Sequence, residues 1–524
     1  MIDSLASLLV AGAQRTPDAP VLIDRDPDGT PITVTYAQAE ERTAIVAQLL
    51  VAAGVAPGDR VMIAKRKGMC SFMAVHGILR AGAVVVPLDP LAPAPALQPL
   101  VANARPTAVI GDPSVIAKLD LDTTAPDLRL VIEEVTQELA GTVADVAVPE
   151  PLTGEHPAYI IYSSGSTGVP KGILHSHASG LAYAAMCAEE YGLTASDRLA
   201  AMTPLHFDMS TLELYALPFV GGSSAMFSEA ELRFPATFTD RAAAARCTIW
   251  YAVPYMLQQI VERGALDERD LSTLATIAYG GEVYPVEGLR RLMELFPGVL
   301  VTNVYGPAEV NAITHHHLTE PPAAGVFETP LGVPAMGVEA MVVDDDRTTP
   351  LPIGETGELV VSAPTRMIEY WERPDLDAAT RLARSDGPDW YRTGDLVRLD
   401  DEGVLWFAGR RDHQVKVRGV RLELDSIEAV VAAAPGVLHA VVGPNEASDA
   451  LLAAVVMRDD AEFDERSLRR WVSARVSAGA LPASFVERAS MPATSSGKID
   501  VRRVRIELAT SNEQMEGIDG DSSG

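Results

Sequence analysis

Short apolar runs rich in Val, Ile and Ala recur along the chain, separated by longer stretches rich in Ala and Leu. Short buried strands that alternate with helices predict an α/β fold with parallel sheets. Strand character is found at 61–64, 83–87, 108–110, 128–132, 158–162, 248–252, 274–278 and 299–304, and helical character at 37–53, 72–80 and 286–295. We therefore expect a large N-terminal domain, residues 1–409, of parallel sheets flanked by helices.

The pattern changes towards the end of this domain. Residues 357–363 alternate as in an antiparallel or small barrel-like sheet, and residues 410–413 are charged and polar, as in a linker. The stretch 414–510 is long enough for a small α+β domain. It is predicted to contain helices at 425–434 and 465–478 and strands at 439–442 and 451–457. The polar tail 511–524 is predicted to be disordered.

Charge and cysteine content exclude several kinds of partner. The net charge of −29 repels nucleic acid and anionic membranes, so neither is an expected partner. No run approaches the ~20 apolar residues of a membrane span, and Leu5, Leu8 and Leu9 predict an opening amphipathic helix rather than a signal peptide. Three scattered cysteines show neither a disulfide framework nor zinc spacing, which favours a cytoplasmic protein.

The most informative stretch runs from Tyr159 to Gly172, where an apolar strand leads into a Ser-, Thr- and Gly-rich loop. Glycines let the backbone approach a ligand, and successive amide and hydroxyl groups form an anion nest. The candidate phosphate-binding residues are Ser163, Ser164, Gly165, Ser166, Thr167, Gly168 and Lys171. The loop is not a Walker A loop, because Lys171 is followed by Gly172 rather than by Ser or Thr.

This loop resembles the signature of the adenylate-forming superfamily, which includes acyl-CoA synthetases, luciferases and the adenylation domains of nonribosomal peptide synthetases. Further motifs follow in the family's order and extend the resemblance over residues 5–505. In Asn303–Glu309, the resemblance implies that Tyr305 stacks on adenine and that Glu309 is catalytic and holds Mg²⁺. Ala308 stands where the family usually has Thr, so no role is predicted for its side chain.

Other motifs complete the ATP site that the resemblance implies. Asp395, in Tyr391–Asp395, is expected to bind the ribose hydroxyls, and Gly281 and Glu282 are expected near adenine. Arg410 is expected on the ribose and phosphate side. In Pro492–Asp500, Lys498 is the catalytic lysine expected to contact the substrate carboxylate and the α-phosphate.

The stretch 409–423 resembles the family's hinge and the loop after it. Asp412 is then the hinge residue within 410–413, and Lys416, Arg418 and Gly419 lie on the loop that faces the thiol channel. The resemblance implies a mobile small domain that carries Lys498 out of the site and Gly419 into it between the two half-reactions. A carboxylate is already nucleophilic at neutral pH, so the reaction requires charge neutralisation and placement rather than a general base.

The expected substrate is a small, apolar amino acid. In Leu205–Ser210, Asp208 matches the residue that binds the substrate ammonium group in amino-acid-activating relatives; a helix-capping Asp is the alternative. The other expected substrate-binding residues are Phe207, Met209, Leu212, Tyr251, Ile277, Tyr279, Gly280, Val304, Ala312 and Ile313. The stretch Met209–Tyr215 departs from the form usual in α-amino-acid domains, which favours a β-amino acid, with proline next.

The resemblance therefore implies a free-standing enzyme of natural-product biosynthesis, which uses ATP and Mg²⁺ and loads a separate phosphopantetheinylated carrier protein. An acyl- or aryl-CoA ligase that uses coenzyme A, a luciferase-type monooxygenase and a non-catalytic nucleotide-binding protein remain alternatives. A metal site at His315–His317 is not expected, because adjacent strand residues point to opposite faces.

Overall fold

A computed structural model describes residues 2–25, 29–125, 128, 130–132, 146–147, 153–163, 170–326, 328–344, 349–383, 389–411, 414–458, 461–492 and 499–510. The chain divides into two compact units. The first comprises Met1–Pro90, Val101–Tyr162 and Lys171–Arg411, and the second comprises Leu91–Leu100, Ser163–Pro170 and Asp412–Gly524. The predicted hinge 410–413 and tail 511–524 lie partly or wholly outside the described residues, so the proposed domain limits stay predictions.

The helices and strands are numbered in chain order. The strands are β1 Pro20–Arg25, β2 Pro31–Thr35, β3 Arg60–Ala64, β4 Val84–Pro87, β5 Ala108–Gly111, β6 Leu130–Ile132, β7 Pro157–Ser163, β8 Lys171–Ser176, β9 Arg198–Ala201, β10 Ser223–Met226, β11 Ile249–Ala252, β12 Thr276–Gly280, β13 Leu300–Tyr305, β14 Thr314–Leu318, β15 Val333–Pro334, β16 Glu339–Val343, β17 Thr356–Ser362, β18 Glu369–Tyr370, β19 Arg381–Leu382, β20 Trp390–Leu399, β21 Leu405–Arg410, β22 Gln414–Val417, β23 Val420–Glu423, β24 Val437–Pro444, β25 Leu451–Met457 and β26 Ser484–Glu487. The helices are α1 Leu8–Arg15, α2 Tyr36–Ala52, α3 Met69–Arg80, α4 Ala94–Ala104, α5 Pro113–Ile116, α6 Leu121–Thr124, α7 His177–Glu190, α8 Leu217–Val220, α9 Glu229–Leu232, α10 Pro235–Ala244, α11 Pro254–Arg263, α12 Val286–Leu295, α13 Pro374–Thr380, α14 Leu424–Ala432, α15 Glu465–Ser473 and α16 Val501–Thr510.

The first unit contains two large sheets. One has the strand order β15-β14-β13-β12-β11-β9-β10-β1-β2 and is parallel from β13 through β1. The other has the order β18-β8-β7-β4-β3-β5-β6, with parallel pairs among β7, β4, β3, β5 and β6. These sheets, flanked by helices, confirm the predicted α/β class.

Local signals explain where the helices begin. Thr35 and Gln38 form a capping box at the start of α2: the Thr35 hydroxyl accepts from the Gln38 amide, and the Gln38 side chain accepts from the Thr35 amide. At the N-terminus, Leu5, Leu8 and Leu9 are buried, as predicted for an amphipathic helix. Among the described residues, none of the helices is both long and apolar enough to cross a membrane.

A third sheet, β16-β17-β20-β19 with β21 beside β20, is antiparallel and matches the predicted barrel-like element. Residues 357–361 of β17 are all buried, and successive side chains lie on opposite faces of the strand. Leu359 and Val361 face the main core, whereas Val360 packs with Val343 and Trp390 on the other face. A central strand covered on both faces has no exposed side to leave polar.

The second unit contains the hairpin β22-β23 and the sheet β24-β25-β26. Residues of α14 and α15 pack on one face of this sheet, and residues of α16 pack on the other. The predicted helix 465–478 is too long, because α15 ends at Ser473. Its last turn is closed by a short bond from the Arg475 amide to the Val472 carbonyl, of the tightened type that ends many helices.

Candidate active site

Tyr305, Asp395 and Arg410 form a hydrogen-bonded group in the first unit. Tyr305 ends β13, and Asp395 on β20 is directly opposite Arg410 on β21. The Tyr305 hydroxyl donates to Oδ2 of Asp395 at 2.5 Å, and the Arg410 guanidinium donates to Oδ1. Burial and the Asp395 carboxylate raise the pKa of Tyr305 well above its ordinary value, so it remains a donor. The structure thus brings these three predicted site residues together.

Glu309 lies in the turn after β13 and is fully buried. The Tyr370 hydroxyl donates to its Oε1 at 2.8 Å, and the Tyr391 hydroxyl lies 3.2 Å from that of Tyr370. The Met367 amide donates to the Glu309 carbonyl at 2.8 Å. Tyr370 was missed by sequence reasoning, since it lies on the short strand β18 and in none of the motifs.

His175 supports the same turn from β8. Its Nε2 donates to the Ala308 carbonyl at 2.9 Å, its Nδ1 lies 3.2 Å from the Ser179 hydroxyl, and its ring stacks on Tyr159 with 4.8 Å between ring centres. Burial lowers the pKa of His175 to about 4, so the ring is neutral near pH 7. Position 308 therefore contributes a carbonyl acceptor here, although its methyl side chain lacks the family's hydroxyl.

The glycine-rich loop is described only at its two ends. Ser163 is the last residue of β7, and Lys171 is the first residue of β8 and is buried. Ser164, Gly165, Ser166, Thr167 and Gly168 lie outside the described residues. Their predicted role in phosphate binding stays a prediction.

The Gly280-Gly281 pair at the end of β12 has a clear backbone role. A Cβ at Gly280 would lie 2.4 Å from the Val304 carbonyl oxygen of the neighbouring β13, so only glycine permits this approach. Gly281 has φ +94°, in the left-handed region, and Glu282 follows it half-buried. These requirements of the turn account for the motif without a ligand.

Asp208 begins a 3₁₀ turn, Asp208–Ser210, that leads into a π-helical turn, Leu212–Ala216. The residue preceding the first turn is Phe207, and Oδ1 of Asp208 accepts from the adjacent Met209 amide at 3.0 Å. Asp208 therefore does not occupy the N-cap position required by the capping alternative. Burial raises the pKa of Tyr251 well above its ordinary value, and the neighbouring Asp208 carboxylate raises it further.

The structure divides the predicted substrate-binding residues into two groups. Leu212, Tyr251, Val304, Ala312 and Ile313 lie in the main core, and Met209 packs against it. Ile277 and Tyr279 lie instead in a second core with Trp250. The reason is strand alternation: Ala278 faces the main core, so its neighbours on β12 face the other side. The prediction that all these side chains form one wall is therefore corrected. Phe207 contacts His206, with 4.7 Å between ring centres.

A polar pair that sequence reasoning missed lies beside the main-core group. Asn311, at φ +62°, donates from Nδ2 to the Tyr159 hydroxyl at 3.3 Å, and Tyr159 packs against Tyr215 at 5.5 Å. Oδ1 of Asn311 is buried and has no hydrogen-bond partner among the described residues. The expected wall, apolar except for two tyrosine hydroxyls, therefore has additional polar groups at its margin. An Asn shortly after the Glu309 motif was the only signal available.

In the second unit, Arg418 and Gly419 form the two-residue turn of the β22-β23 hairpin, with φ +50° and +78°. Two positive φ angles are characteristic of a type I′ turn. The prediction that places Lys416 on this loop is wrong, because it lies on β22. Asp412 and Lys498 lie outside the described residues.

His315, His316 and His317 lie on β14, as the strand prediction requires. His315 and His317 stack on one face, 6.0 Å between ring centres, and Nε2 of His317 lies 3.2 Å from Glu190. Within the described part of the chain, no group of three or more His, Cys, Asp or Glu residues could hold a metal ion.

Comparison with known proteins decides the family. The AMP-binding enzyme family matches residues 9–371, and the AMP-binding enzyme C-terminal domain matches residues 426–498. The chain belongs to the AMP-binding enzyme family. Its membership confirms the predicted resemblance and makes the protein an AMP-forming ligase.

Individual relatives agree with this assignment. A dimodular nonribosomal peptide synthase of Bacillus subtilis (strain 168) is 34% identical over 95% of this AMP-binding enzyme, which spans only 20% of the synthase. An L-proline--[L-prolyl-carrier protein] ligase of Pseudomonas fluorescens (strain Pf-5) is 32% identical over 78% of this chain and 80% of its own. The amide bond synthetase McbA of Marinactinospora thermotolerans has the same fold, with a TM-score of 0.84, 26% identity and coverage of 96% and 99% of the two chains.

Proposed function

We propose that this AMP-binding enzyme adenylates a small apolar amino acid with ATP, releases pyrophosphate and transfers the aminoacyl group to the phosphopantetheine thiol of a separate carrier protein. The observation that carries the proposal is the position of Asp208. Its carboxylate is half-buried beside Tyr251 and on the same short segment as Leu212, which lies in the main core with Ala312 and Ile313. In a low-dielectric setting, a carboxylate favours an ammonium partner strongly, and aliphatic neighbours favour a small apolar side chain.

The ATP side of the proposal rests on the group at Tyr305. Asp395 accepts an O–H donor from Tyr305 in this structure, so its carboxylate has the chemistry needed to accept ribose hydroxyls. Arg410 balances the charge of Asp395, and its guanidinium is the proposed contact on the ribose and phosphate side. The Tyr305 ring offers a flat face for adenine.

Glu309 is the proposed magnesium ligand, since carboxylate oxygens are the protein ligands that Mg²⁺ prefers. A bound Mg²⁺ would neutralise charge on the triphosphate during displacement of pyrophosphate. Tyr370 and the Ala308–His175 bond hold the Glu309 turn in place. The roles predicted for Lys498, Asp412 and Gly419 stay part of the proposal.

Two observations bear on the identity of the acid and of the acceptor. The departure of Met209–Tyr215 from the usual form favours a β-amino acid, whereas similarity to a proline-activating ligase favours proline. That relative's acceptor is a prolyl-carrier protein, and this supports a carrier protein as the acceptor here. A CoA ligase is the alternative to be tested.

The first experiment is substrate-dependent ATP–pyrophosphate exchange with α-amino, β-amino, imino, fatty and aryl acids. Wild type, Asp208→Ala and Asp208→Asn are compared, with Asp240→Ala as an exposed matched control. We expect exchange with one amino acid, lost in both Asp208 variants and kept in the control. Exchange only with acids that lack an amine, indifferent to Asp208, would overturn the proposal.

The second half-reaction is tested with the acid so identified. Radiolabelled acid is offered with phosphopantetheinylated carrier proteins and, separately, with free coenzyme A. Acylation of a carrier protein supports the proposal. Formation of the acyl-CoA alone would make the enzyme a CoA ligase.

A further inference from the structure

Lys67 and Glu213 form a buried ion pair beside the Asp208 segment. Nζ of Lys67 lies 2.5 Å from Oε2 of Glu213 and also donates to the Thr203 carbonyl at 2.5 Å. The two side chains are only 7% and 2% exposed. The two residues are 146 apart in the chain. Glu213 lies in the stretch Met209–Tyr215, and Lys67 lies in none of the motifs described above.

The contacts of Lys67 connect the two ends of one segment. Thr203 precedes Asp208 in the chain, and Glu213 follows it. One ammonium group therefore binds both the entry and the exit of the segment 203–213, which carries Asp208 and Leu212. Lys67 itself lies in the loop between β3 and α3. It therefore connects the segment 203–213 to a loop that is distant in sequence.

The segment needs such support because its own backbone is irregular. Pro218 has no amide hydrogen, so the Leu214 carbonyl lacks the donor that an α-helix would supply four residues later. The chain forms the wider π-helical turn Leu212–Ala216, in which the Leu217 amide donates to the Leu212 carbonyl five residues earlier, a rare form that is common at functional sites. Glu213 is the second residue of this turn, so the ion pair holds the turn directly.

Global stability is a weak explanation for the pair. Burial of two charges is costly, and apolar side chains of similar size often stabilise a protein equally well. Burial lowers the pKa of Lys67 and raises that of Glu213, while each is shifted back by its partner. An apolar pair would lack the directional hydrogen bonds by which Nζ of Lys67 binds the Thr203 carbonyl and the Glu213 carboxylate at the same time.

We propose that Lys67 and Glu213 are positioning residues that hold the Asp208–Leu212 segment where it binds the substrate acid. The inference rests on the proposed function, which places the acid at Asp208. Lys67→Met alone should destabilise the protein, because it leaves Glu213 buried without its cation. Lys67→Met/Glu213→Met should recover thermal stability but should still show a KM for the acid raised by roughly tenfold or more, with the KM for ATP unchanged. A misplacement of ~1 Å can cost up to about a hundredfold.

The experiment measures the melting temperature and both KM values by pyrophosphate exchange for wild type, Lys67→Met, Lys67→Met/Glu213→Met and the milder Lys67→Arg and Glu213→Asp. A double variant with wild-type stability and a wild-type KM for the acid would overturn the proposal, as would equal increases in both KM values. If the double variant does not fold, the milder variants decide, since both should raise the KM for the acid selectively; unchanged values would overturn the proposal.

A double-mutant cycle separates this inference from the proposed function. The acid panel with wild-type enzyme tests the proposed function. The positioning role is then measured with whichever acid the wild type accepts. This is possible with any acid because the segment carries both Asp208 and Leu212. Because exchange is lost in Asp208→Ala, the cycle is measured as the Kd for the amino acid by equilibrium binding, and Asp208→Ala should abolish most of the effect of Lys67→Met/Glu213→Met on that Kd. Fully additive effects would contradict a role exerted through Asp208.

Discussion

The Tyr370 hydroxyl donates a 2.8 Å hydrogen bond to Oε1 of the fully buried Glu309, although the two residues are 61 apart in the chain. Tyr370 ends β18, which pairs with β8, and β8 begins at Lys171 after the glycine-rich loop. A strand of two residues thus connects the position of the proposed magnesium ligand to the strand that follows the loop.

Tyr370→Phe should impair catalysis more than folding. Loss of one hydrogen bond to a buried carboxylate costs about 1–3 kcal/mol, and the freed Glu309 should require more Mg²⁺ for half-maximal exchange. The measurement is exchange rate against Mg²⁺ concentration, with the melting temperature beside it. Tyr284→Phe is the matched control, because the buried Tyr284 hydroxyl has no partner among the described residues. Equal Mg²⁺ requirements in wild type and Tyr370→Phe would refute the supporting role.

Asp395→Asn should weaken nucleotide binding selectively. The change removes the charge that balances Arg410, whose side chain is 18% exposed, and replaces one acceptor oxygen by a donor. The KM for ATP should rise by roughly tenfold or more, given the strength of charge-assisted bonds, while the KM for the acid stays near wild type. Asp401→Asn, on the exposed turn after β20, is the control. A selective rise in the KM for the acid would count against the assignment.

Stability should fall as the pH is lowered, in part through His175. Burial lowers the pKa of His175 to about 4 from 6.5, so below pH 6.5 the unfolded chain binds the proton more readily than the folded chain. The contribution is complete above pH 6.5 and is lost between pH 6.5 and about 4, roughly 3 kcal/mol in total. Denaturant unfolding is measured at several pH values. The free energy of unfolding should depend less steeply on pH in His175→Gln than in wild type. An unchanged pH dependence of the free energy of unfolding would contradict this assignment. The control is His439→Gln, since His439 is exposed.

Gly280→Ala should be damaging even though the added group is a single methyl. The new Cβ would lie 2.4 Å from the Val304 carbonyl oxygen. The strands β12 and β13 must therefore move apart at the end where β13 finishes in Tyr305. We expect a loss of about 1–3 kcal/mol and reduced exchange activity. Gly68→Ala, whose Cβ would meet open space, should cost less, about 0.5–1 kcal/mol, because Gly68 is the N-cap of α3, where Gly is preferred to Ala. Wild-type stability in Gly280→Ala would show that the sheet adapts freely.

Much of this protein can be read from local sequence. The helix at 286–295 and the strand at 451–457 match the structure at both ends, because periodicity and turn residues act within a few positions. The pairing of Asp395 with Arg410 is also local, since β20 and β21 are consecutive antiparallel strands. The sequence motifs also predicted the resemblance to the adenylate-forming superfamily, which membership of the AMP-binding enzyme family confirms.

Only the tertiary structure decided the rest. The sequence carries no sign that Lys67 meets Glu213 or that Tyr370 meets Glu309, because each pair depends on which strands and loops become neighbours across long intervals of chain. It also could not show that Ile277 and Tyr279 face a different core from Leu212, since either face of β12 could be covered by apolar neighbours. Local periodicity determines which helices and strands form. The packing of those elements determines which side chains share a site, because the hydrophobic effect is non-directional and stabilises contact with any apolar surface. Which residues become neighbours therefore depends on the whole fold.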